Sequence, residues 1–118
     1  MRIPLIAGNW KMYKNLEESV ELASTLKSLV KDVDESKAEI AVCPTFVNLQ
    51  AVAGVIKGSN IRLGAQNLYP KNEGAFTGEI SPVMLRSVGC HYVIIGHSER
   101  RQYFGETNEF INSKVKTA

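Results

Sequence analysis

The chain has 118 residues, with 14 basic and 12 acidic side chains and 44% hydrophobic residues. These values are close to the averages for globular proteins and exclude a disordered, collagen-like or coiled-coil chain. The net charge of +2 is small and its charges are mixed along the chain, so we expect neither a nucleic-acid partner nor a membrane surface. The length fits a single domain over residues 1–118.

The two cysteines, Cys43 and Cys90, lie in apolar stretches. We therefore expect buried free thiols and a reducing, cytoplasmic location. The apolar run at residues 3–8 is too short for the core of a secretion signal. Polar residues interrupt the uncharged run at residues 40–56, and a membrane span needs about 20 mostly apolar residues. The sequence predicts no export and no membrane span.

The first half of the chain predicts alternating strands and helices. Ile3–Gly8 has the short apolar pattern of a strand buried on both faces. Asn15 precedes apolar residues at helical spacing, and Glu18 follows it at the distance of a capping box, which predicts a helix. Glu39–Cys43 is a second predicted strand, and Pro44 ends it because proline cannot donate to a ladder.

A second helix is predicted over Phe46–Ile56, closed near Gly58. A third strand is predicted over Ile61–Gln66. The following stretch, Asn67–Glu79, has no sustained periodicity. Long loops inside compact domains are usually functional or form an interface, so we expect one of those roles here.

The last part of the chain predicts two more helices and one strand. Ser81 followed by proline is a helix start, and Gly89 marks its end. Tyr92–Gly96 is the fourth predicted strand. A polar turn is predicted over His97–Arg101, and a final helix begins after Thr107.

Four strand-then-helix units without hairpin turns predict a parallel sheet with right-handed crossovers, which is the α/β class. Units of about 30 residues repeated eight times would make the roughly 250 residues of a (β/α)8 barrel. The prediction is therefore half of such a barrel, with four parallel strands and their following helices. The domain would be incomplete and would end within the fourth helix.

Polar side chains follow the first and fourth predicted strands, where parallel α/β proteins bind ligands. Asn9 and Lys11 place an amide and an ammonium after the first. His97, Ser98 and Glu99 come after the fourth, at the start of a turn or short helix whose free N–H groups favour anions. The pattern predicts an anion site with a proton-handling group, although a solvated lysine and a structural histidine fit the same spacing.

The charged residues near the fourth strand also fit a solvated surface cluster that contributes little energy; they are Glu99, Arg100, Arg101 and Glu106. His91 beside Cys90, with Cys43 distant in sequence, lacks the spacing of a structural zinc site, so no metal is expected. Neither a nucleotide-binding glycine fingerprint nor a nucleophile elbow occurs at a strand end. We expect no cofactor.

Four segments carry a resemblance to a known family: residues 7–12 (AGNWKM), 64–67 (GAQN), 74–81 (GAFTGEIS) and 92–101 (YVIIGHSERR). In order, and over the whole chain, they closely resemble triosephosphate isomerase, the family after which the (β/α)8 barrel is named. The resemblance implies interconversion of dihydroxyacetone phosphate and glyceraldehyde 3-phosphate in glycolysis and gluconeogenesis. It also implies a cytoplasmic homodimer.

The resemblance implies a role for each residue that matches a family motif. Lys11 would be the cation near the oxygens and phosphate of the substrate, and Asn9 would help to orient it. His97 matches the neutral imidazole that polarises the substrate oxygens as an enediolate forms. Glu99, with Ser98 beside it, would support the hydrogen-bond network of the site.

The resemblance also implies interface residues. Thr77, at the tip of the long loop, matches a residue that crosses the dimer interface and braces the catalytic residues of the neighbouring subunit. Met12 would receive that loop, and Arg100 with Glu79 would stiffen it.

The family's general base is a glutamate after the sixth strand, and nothing in this sequence corresponds to it. An electrophile alone cannot complete the reaction, so we expect the isolated chain to be inactive. A four-stranded sheet also leaves two unpaired edges, which the missing carboxyl-terminal half, a second copy or aggregation could cover. The alternative interpretation is a non-catalytic half-barrel that binds phosphate or self-associates.

Overall fold

The computed structural model describes residues 2–118. Its elements are β1 (Leu5–Asn9), α1 (Leu16–Leu29), β2 (Glu39–Cys43), a 3₁₀ turn (Phe46–Asn48) leading into α2 (Leu49–Ile56), β3 (Ile61–Ala65), α3 (Pro82–Ser87), β4 (Cys90–Val93), α4 (Ser98–Phe104) and α5 (Asn108–Thr117). All four strands are parallel, in the order β1-β2-β3-β4. The predicted α/β class, with four parallel strands and following helices, is confirmed. Within residues 2–118, no helix is long and apolar enough to cross a membrane.

The hydrophobic core lies between β2, β3 and the helices that follow them. Its most buried members are aliphatic, as a parallel sheet covered by helices requires: Ala23, Val42, Leu49, Val52, Ile56, Ile61, Leu63, Ala65, Leu68 and Leu85. The outer strand β1 differs, because Leu5 is 47% exposed and Ile6 61% exposed. The prediction that the first strand is buried on both faces was wrong, since β1 is an edge strand with β2 as its one neighbour.

The start of α1 forms as the sequence predicts. The Glu18 amide donates to Asn15 Oδ1 at 3.0 Å, and the Asn15 amide donates to Glu18 Oε1 at 3.0 Å. This reciprocal pair satisfies two of the free N–H groups of the first turn. It fixes where the connection from β1 ends.

The second and third predicted elements differ from the structure in detail. The predicted helix over Phe46–Ile56 begins as a 3₁₀ turn at Phe46–Asn48 and becomes α-helical only at Leu49. Gly58 follows it with a φ of 77°, in the left-handed region that glycine tolerates. β3 stops one residue before the predicted end. The long stretch 67–79 contains neither helix nor strand, as predicted.

The fourth strand was predicted two residues too late. β4 is Cys90–Val93, and its register with β3 shifts by one residue between Leu63 and Gly64, which leaves His91 of β4 as the bulged residue. The bulge lets pairing begin earlier on β4 than the apolar run Tyr92–Gly96 indicates. The ladder continues past the strand only through the Ile94 amide, which donates to the Ala65 carbonyl at 2.8 Å.

The stretch His97–Arg101, for which the sequence predicts a polar turn or the start of a short helix, lies at the beginning of α4, so the helical alternative is the correct one. The side chain of His97 caps this helix by accepting the amide N–H of Glu99. Consecutive charged residues obscured the helical periodicity in the sequence. The final helix begins as predicted, since Thr107 Oγ1 accepts the amide of Phe110 at 3.2 Å.

Candidate active site

A cleft of about 560 Å³ lies at the carboxyl ends of the strands, and its lining includes Asn9, Lys11, Gln66, His97 and Glu99. Asn9 ends β1 and the others follow β1, β3 and β4, so that residues up to 90 positions apart in the sequence line one cleft. They meet because the carboxyl ends of parallel strands share one edge of the sheet. Ser98 begins α4, is exposed, and does not line this cleft.

The carboxylate of Glu99 lies beside both the lysine and the histidine of the cleft. Lys11 Nζ lies 3.4 Å from Glu99 Oε1, and His97 Nδ1 lies 3.6 Å from the same oxygen. The side chains of Lys11 and Glu99 are 48% and 42% exposed, so water screens the pair and it adds little to stability. Its consequence is geometric, because it holds an ammonium group beside an imidazole at the mouth of the cleft.

The hydrogen bonding of His97 determines which ring nitrogen carries the proton and is free to donate it to a ligand in a hydrogen bond. The amide N–H of Glu99 donates to His97 Nδ1 at 3.0 Å. Nδ1 therefore acts as an acceptor and carries no proton, so the proton of the ring is on Nε2. An Nε2–H group of a neutral imidazole can donate a hydrogen bond to a substrate oxygen, and the ring itself carries no positive charge.

The backbone of Lys11 is in the left-handed region, with a φ of 54°. For a residue with a side chain this conformation is uncommon and costs of order 1–3 kcal/mol. Two side chains hold it in place. The Lys11 amide donates to Asn9 Oδ1 at 3.0 Å, and Gln66 Nε2 donates to the Lys11 carbonyl at 2.9 Å and to the Cys43 carbonyl at 2.8 Å.

Gln66 is a site residue that the sequence reasoning did not single out. It ties the turn after β1 to the end of β2, although it follows β3. The available signal was its position directly after a predicted strand, inside the segment 64–67 that carries the family resemblance. An amide with two donor hydrogens can join two carbonyls in this way.

The thiols do not take part in the site as nucleophiles. Burial raises the pKa of Cys43 to about 11, and burial together with the charge of Cys43 raises the pKa of Cys90 to about 11. Both therefore stay protonated at neutral pH. Both are free, as predicted, but only Cys43 is buried, because Cys90 lies on the edge strand β4 and is partly exposed.

A buried ion cluster adjoins the cleft and consists of Asn67, Arg100, Glu106 and Lys114, of which Asn67 and Arg100 also line the cleft. Lys114 Nζ donates to Glu106 Oε2 at 2.5 Å and to Asn67 Oδ1 at 2.7 Å, and Arg100 Nε donates to the same Glu106 oxygen at 2.9 Å. Lys114 is 1% exposed and Glu106 is 7% exposed. The interpretation of Glu106 as part of a solvated cluster was wrong, because α5 covers it with Lys114.

The sequence reasoning missed Lys114 because lysine is rarely buried unless it is paired. The available signal in the sequence was its place one helical turn after Phe110, on the same predicted helix. In the structure its ammonium lies 4.7 Å from the centre of that ring. The cluster joins the loop after β3 to α4 and α5. It therefore supports the segments that carry Gln66 and Glu99.

The carboxylate partner of Arg100 within the chain is Glu106 and not Glu79. The Arg100 guanidinium also lies 4.7 Å from the ring centre of Phe104, and Arg100 lines one cavity together with Thr77 and Glu79 of the loop. Among residues 2–118, Glu79 forms no ion pair within 4.0 Å. That Arg100 and Glu79 stiffen the loop stays a prediction. Thr77 is exposed.

The buried ion cluster makes stability depend on pH in the acidic range. Burial alone would raise the pKa of Glu106, but the hydrogen bonds and charges of Lys114 and Arg100 outweigh it, so the pKa lies below its ordinary value of 4.5. A carboxylate with a lowered pKa stabilises the fold above that ordinary value, and the contribution is lost as the pH falls through the folded-state pKa. We expect the urea midpoint of the unaltered protein to fall between about pH 6 and pH 3 more steeply than that of Glu106→Gln. Parallel pH profiles would contradict this assignment.

The fold and the cleft together define half of a (β/α)8 barrel whose polar groups gather at the carboxyl ends of the strands, as in barrel enzymes. The family model described as Triosephosphate isomerase matches residues 4–118. Triosephosphate isomerase from Clostridium botulinum (strain Loch Maree / Type A3) is 60% identical over 118 residues, which are 100% of this chain and 46% of the relative. The chain belongs to the triosephosphate isomerase family.

Two further relatives agree with this assignment. Triosephosphate isomerase from Caldanaerobacter subterraneus subsp. tengcongensis is also 60% identical, with the same coverage of both chains. The crystal structure of triosephosphate isomerase from Bartonella henselae superposes with a TM-score of 0.89 at 36% identity, covering 98% of this chain and 46% of that one. The chain therefore spans about half the length of the relatives that it matches.

Proposed function

We propose that this chain supplies the substrate-orienting and electrophilic half of a triosephosphate isomerase. The complete protein would interconvert dihydroxyacetone phosphate and glyceraldehyde 3-phosphate. The observation that carries the proposal is the convergence of Lys11, Glu99 and His97 at one edge of the sheet, with Nζ and Nδ1 both within 3.6 Å of one carboxylate oxygen. Membership of the family supports it.

In this proposal each group of the cleft acts on a different part of the substrate. The ammonium of Lys11 attracts the phosphate and the oxygens of the triose, and Asn9 helps to hold them. His97 Nε2–H donates to the carbonyl oxygen and stabilises the negative charge that develops on it as an enediolate forms. The amide of Glu99 donates to the other ring nitrogen, Nδ1, and so keeps the ring proton on Nε2, where the substrate oxygen needs it.

These residues do not account for the removal of a proton from carbon. A general base must lie within about 3 Å of the proton that it abstracts. Glu99 is engaged with Lys11 and follows the same strand as the electrophile His97, so we do not assign it this role. The base that the family resemblance places after a sixth strand lies outside these four units. The 118-residue chain by itself would then be inactive.

The test is a coupled isomerase assay on the purified 118-residue chain. We expect no turnover above background from the chain alone, because polarising a carbonyl without a base leaves the carbon proton in place. Adding a polypeptide that contains the remaining four βα units should restore activity. Rapid turnover by the chain alone would overturn the proposal. So would an assembly in which the two halves bind each other and yet show no activity.

A homodimer in the cytoplasm is part of the same proposal. Large apolar side chains beside the cleft are exposed, with Met12 at 92%, Tyr13 at 69%, Tyr103 at 70% and Phe104 at 68%. Exposed apolar patches of this kind mark interaction sites. In the homodimer, the loop that carries Thr77 in the second subunit would cover this apolar patch. The free state of both cysteines supports a reducing compartment.

A further inference from the structure

The turn between β1 and α1 is strained at both ends. Lys11 has a φ of 54° and Lys14 has a φ of 73°, and left-handed backbone is uncommon for residues with a side chain. Non-glycine residues keep such conformations only when their surroundings hold them. The near end, at Lys11, is held by Asn9 and Gln66.

The far end of this turn is held by Asn48, which lies 34 residues away in sequence. Asn48 Nδ2 donates to the Lys14 carbonyl at 3.0 Å and to Thr45 Oγ1 at 3.2 Å. The Asn48 side chain is 1% exposed. The donor is shielded from water while Lys14 itself is exposed, so loss of the donor removes the protein partner of the Lys14 carbonyl and leaves the buried Asn48 position with an unsuited polar group.

We propose that Asn48 is a positioning residue for Lys11. It does not line the cleft, so it would act through the backbone of the turn by keeping Lys14 left-handed. The turn then presents the ammonium of Lys11 within reach of Glu99. Residues from three strands would thus place one cation. The turn after β1 carries it, Gln66 after β3 holds the near end of that turn, and Asn48 after β2 holds the far end.

The inference rests on the proposed function, and its test uses kinetics in the active assembly of this chain with the remaining four units. Asn48→Asp keeps the shape of the side chain but replaces the donor by an oxygen that repels the Lys14 carbonyl. We expect KM for the triose phosphate to rise about tenfold, the effect of losing roughly one buried hydrogen bond, with a smaller change in kcat. Adding Lys14→Gly should recover most of the lost affinity, because glycine adopts the left-handed conformation without support.

Asn60→Asp is the matched control. Asn60 Nδ2 donates to the Val30 carbonyl at 2.6 Å, which is the same kind of long-range contact far from the cleft. A merely structural role for Asn48 predicts that both variants lower kcat in proportion to the folded fraction and leave KM unchanged. That result, or the failure of Lys14→Gly to restore KM, would overturn the inference.

A second readout separates this inference from the proposed function. The amide N–H signals of Lys11 and Met12 in the NMR spectrum of the 118-residue chain should shift in Asn48→Asp and stay in place in Asn60→Asp. If the unaltered assembly has no isomerase activity, the proposed function fails, and these signals still decide the positioning role. Unchanged signals in Asn48→Asp would refute it.

Discussion

Replacing His97 by glutamine is expected to reduce kcat of the complemented protein by about 10² to 10⁴-fold, the range that a positioned acid–base or electrophilic group contributes. Glutamine can still donate a hydrogen bond, but it lacks the polarisable ring whose Nδ1 is held by the Glu99 amide at 3.0 Å. The charge that develops on the substrate oxygen therefore loses its stabilisation. KM should change much less than kcat. The measurement is steady-state kinetics in both directions of the reaction.

The protein contains its own control for this substitution. His91 is the other histidine of the chain, and it lies on β4, where its Nε2 is 3.3 Å from Arg62 Nη1. His91→Gln should leave kcat within about twofold, because an exposed polar contact contributes little. Equal losses in the two variants would show that the effect is one of folding, and the assignment of His97 as the electrophile would then be wrong.

Replacing Lys114 by methionine is expected to lower the free energy of unfolding by about 3–5 kcal/mol, the usual cost of removing one partner of a buried ion pair. Methionine fills a similar volume, so the loss comes from Glu106, which keeps its charge in a buried position with Arg100 as its remaining cation. Asn67 also loses its donor. Urea unfolding of the protein, followed by circular dichroism, measures the change.

Two further variants make this prediction specific. Lys116→Met alters an exposed lysine on the same helix and should change stability by less than about 0.5 kcal/mol. The double variant Lys114→Met with Glu106→Gln should recover part of the loss, because it removes the buried charge that Arg100 alone would otherwise balance. A loss below about 1 kcal/mol for Lys114→Met would mean that water reaches Glu106 and that the cluster is not a buried one.

The accuracy of the sequence-based predictions follows the range of the interactions involved. The starts of α1 and α5 were predicted well, because Asn15 and Thr107 bond to groups three residues away. Strand ends were predicted less well, because they depend on the neighbouring strand. Gly64 of β3 illustrates this dependence, since a Cβ atom there would lie 2.6 Å from Cys43 Sγ of β2, a contact that no local pattern contains.

The comparisons confirm the family of the chain, whereas the roles of the residues in the candidate site stay predictions. Lys11 and His97 were identifiable as residues that follow strands, and their nearness to a common carboxylate follows from the parallel topology. Gln66, Asn48 and Lys114 were not singled out. Their importance comes from backbone carbonyls and charges that they meet across long separations in the sequence.

By itself, the sequence determined the α/β class, the four strand-and-helix units and the segments that mark the family, because local periodicity, capping and motif spacing need no knowledge of distant contacts. Only the tertiary structure decided that β1 is an exposed edge, that Glu106 is buried with Lys114, and that Arg100 pairs with Glu106. It also decided how the strained turn that carries Lys11 is held from two other strands. The physical reason is that burial and hydrogen-bond partners depend on which elements pack together, and residues that are far apart in the chain determine that packing.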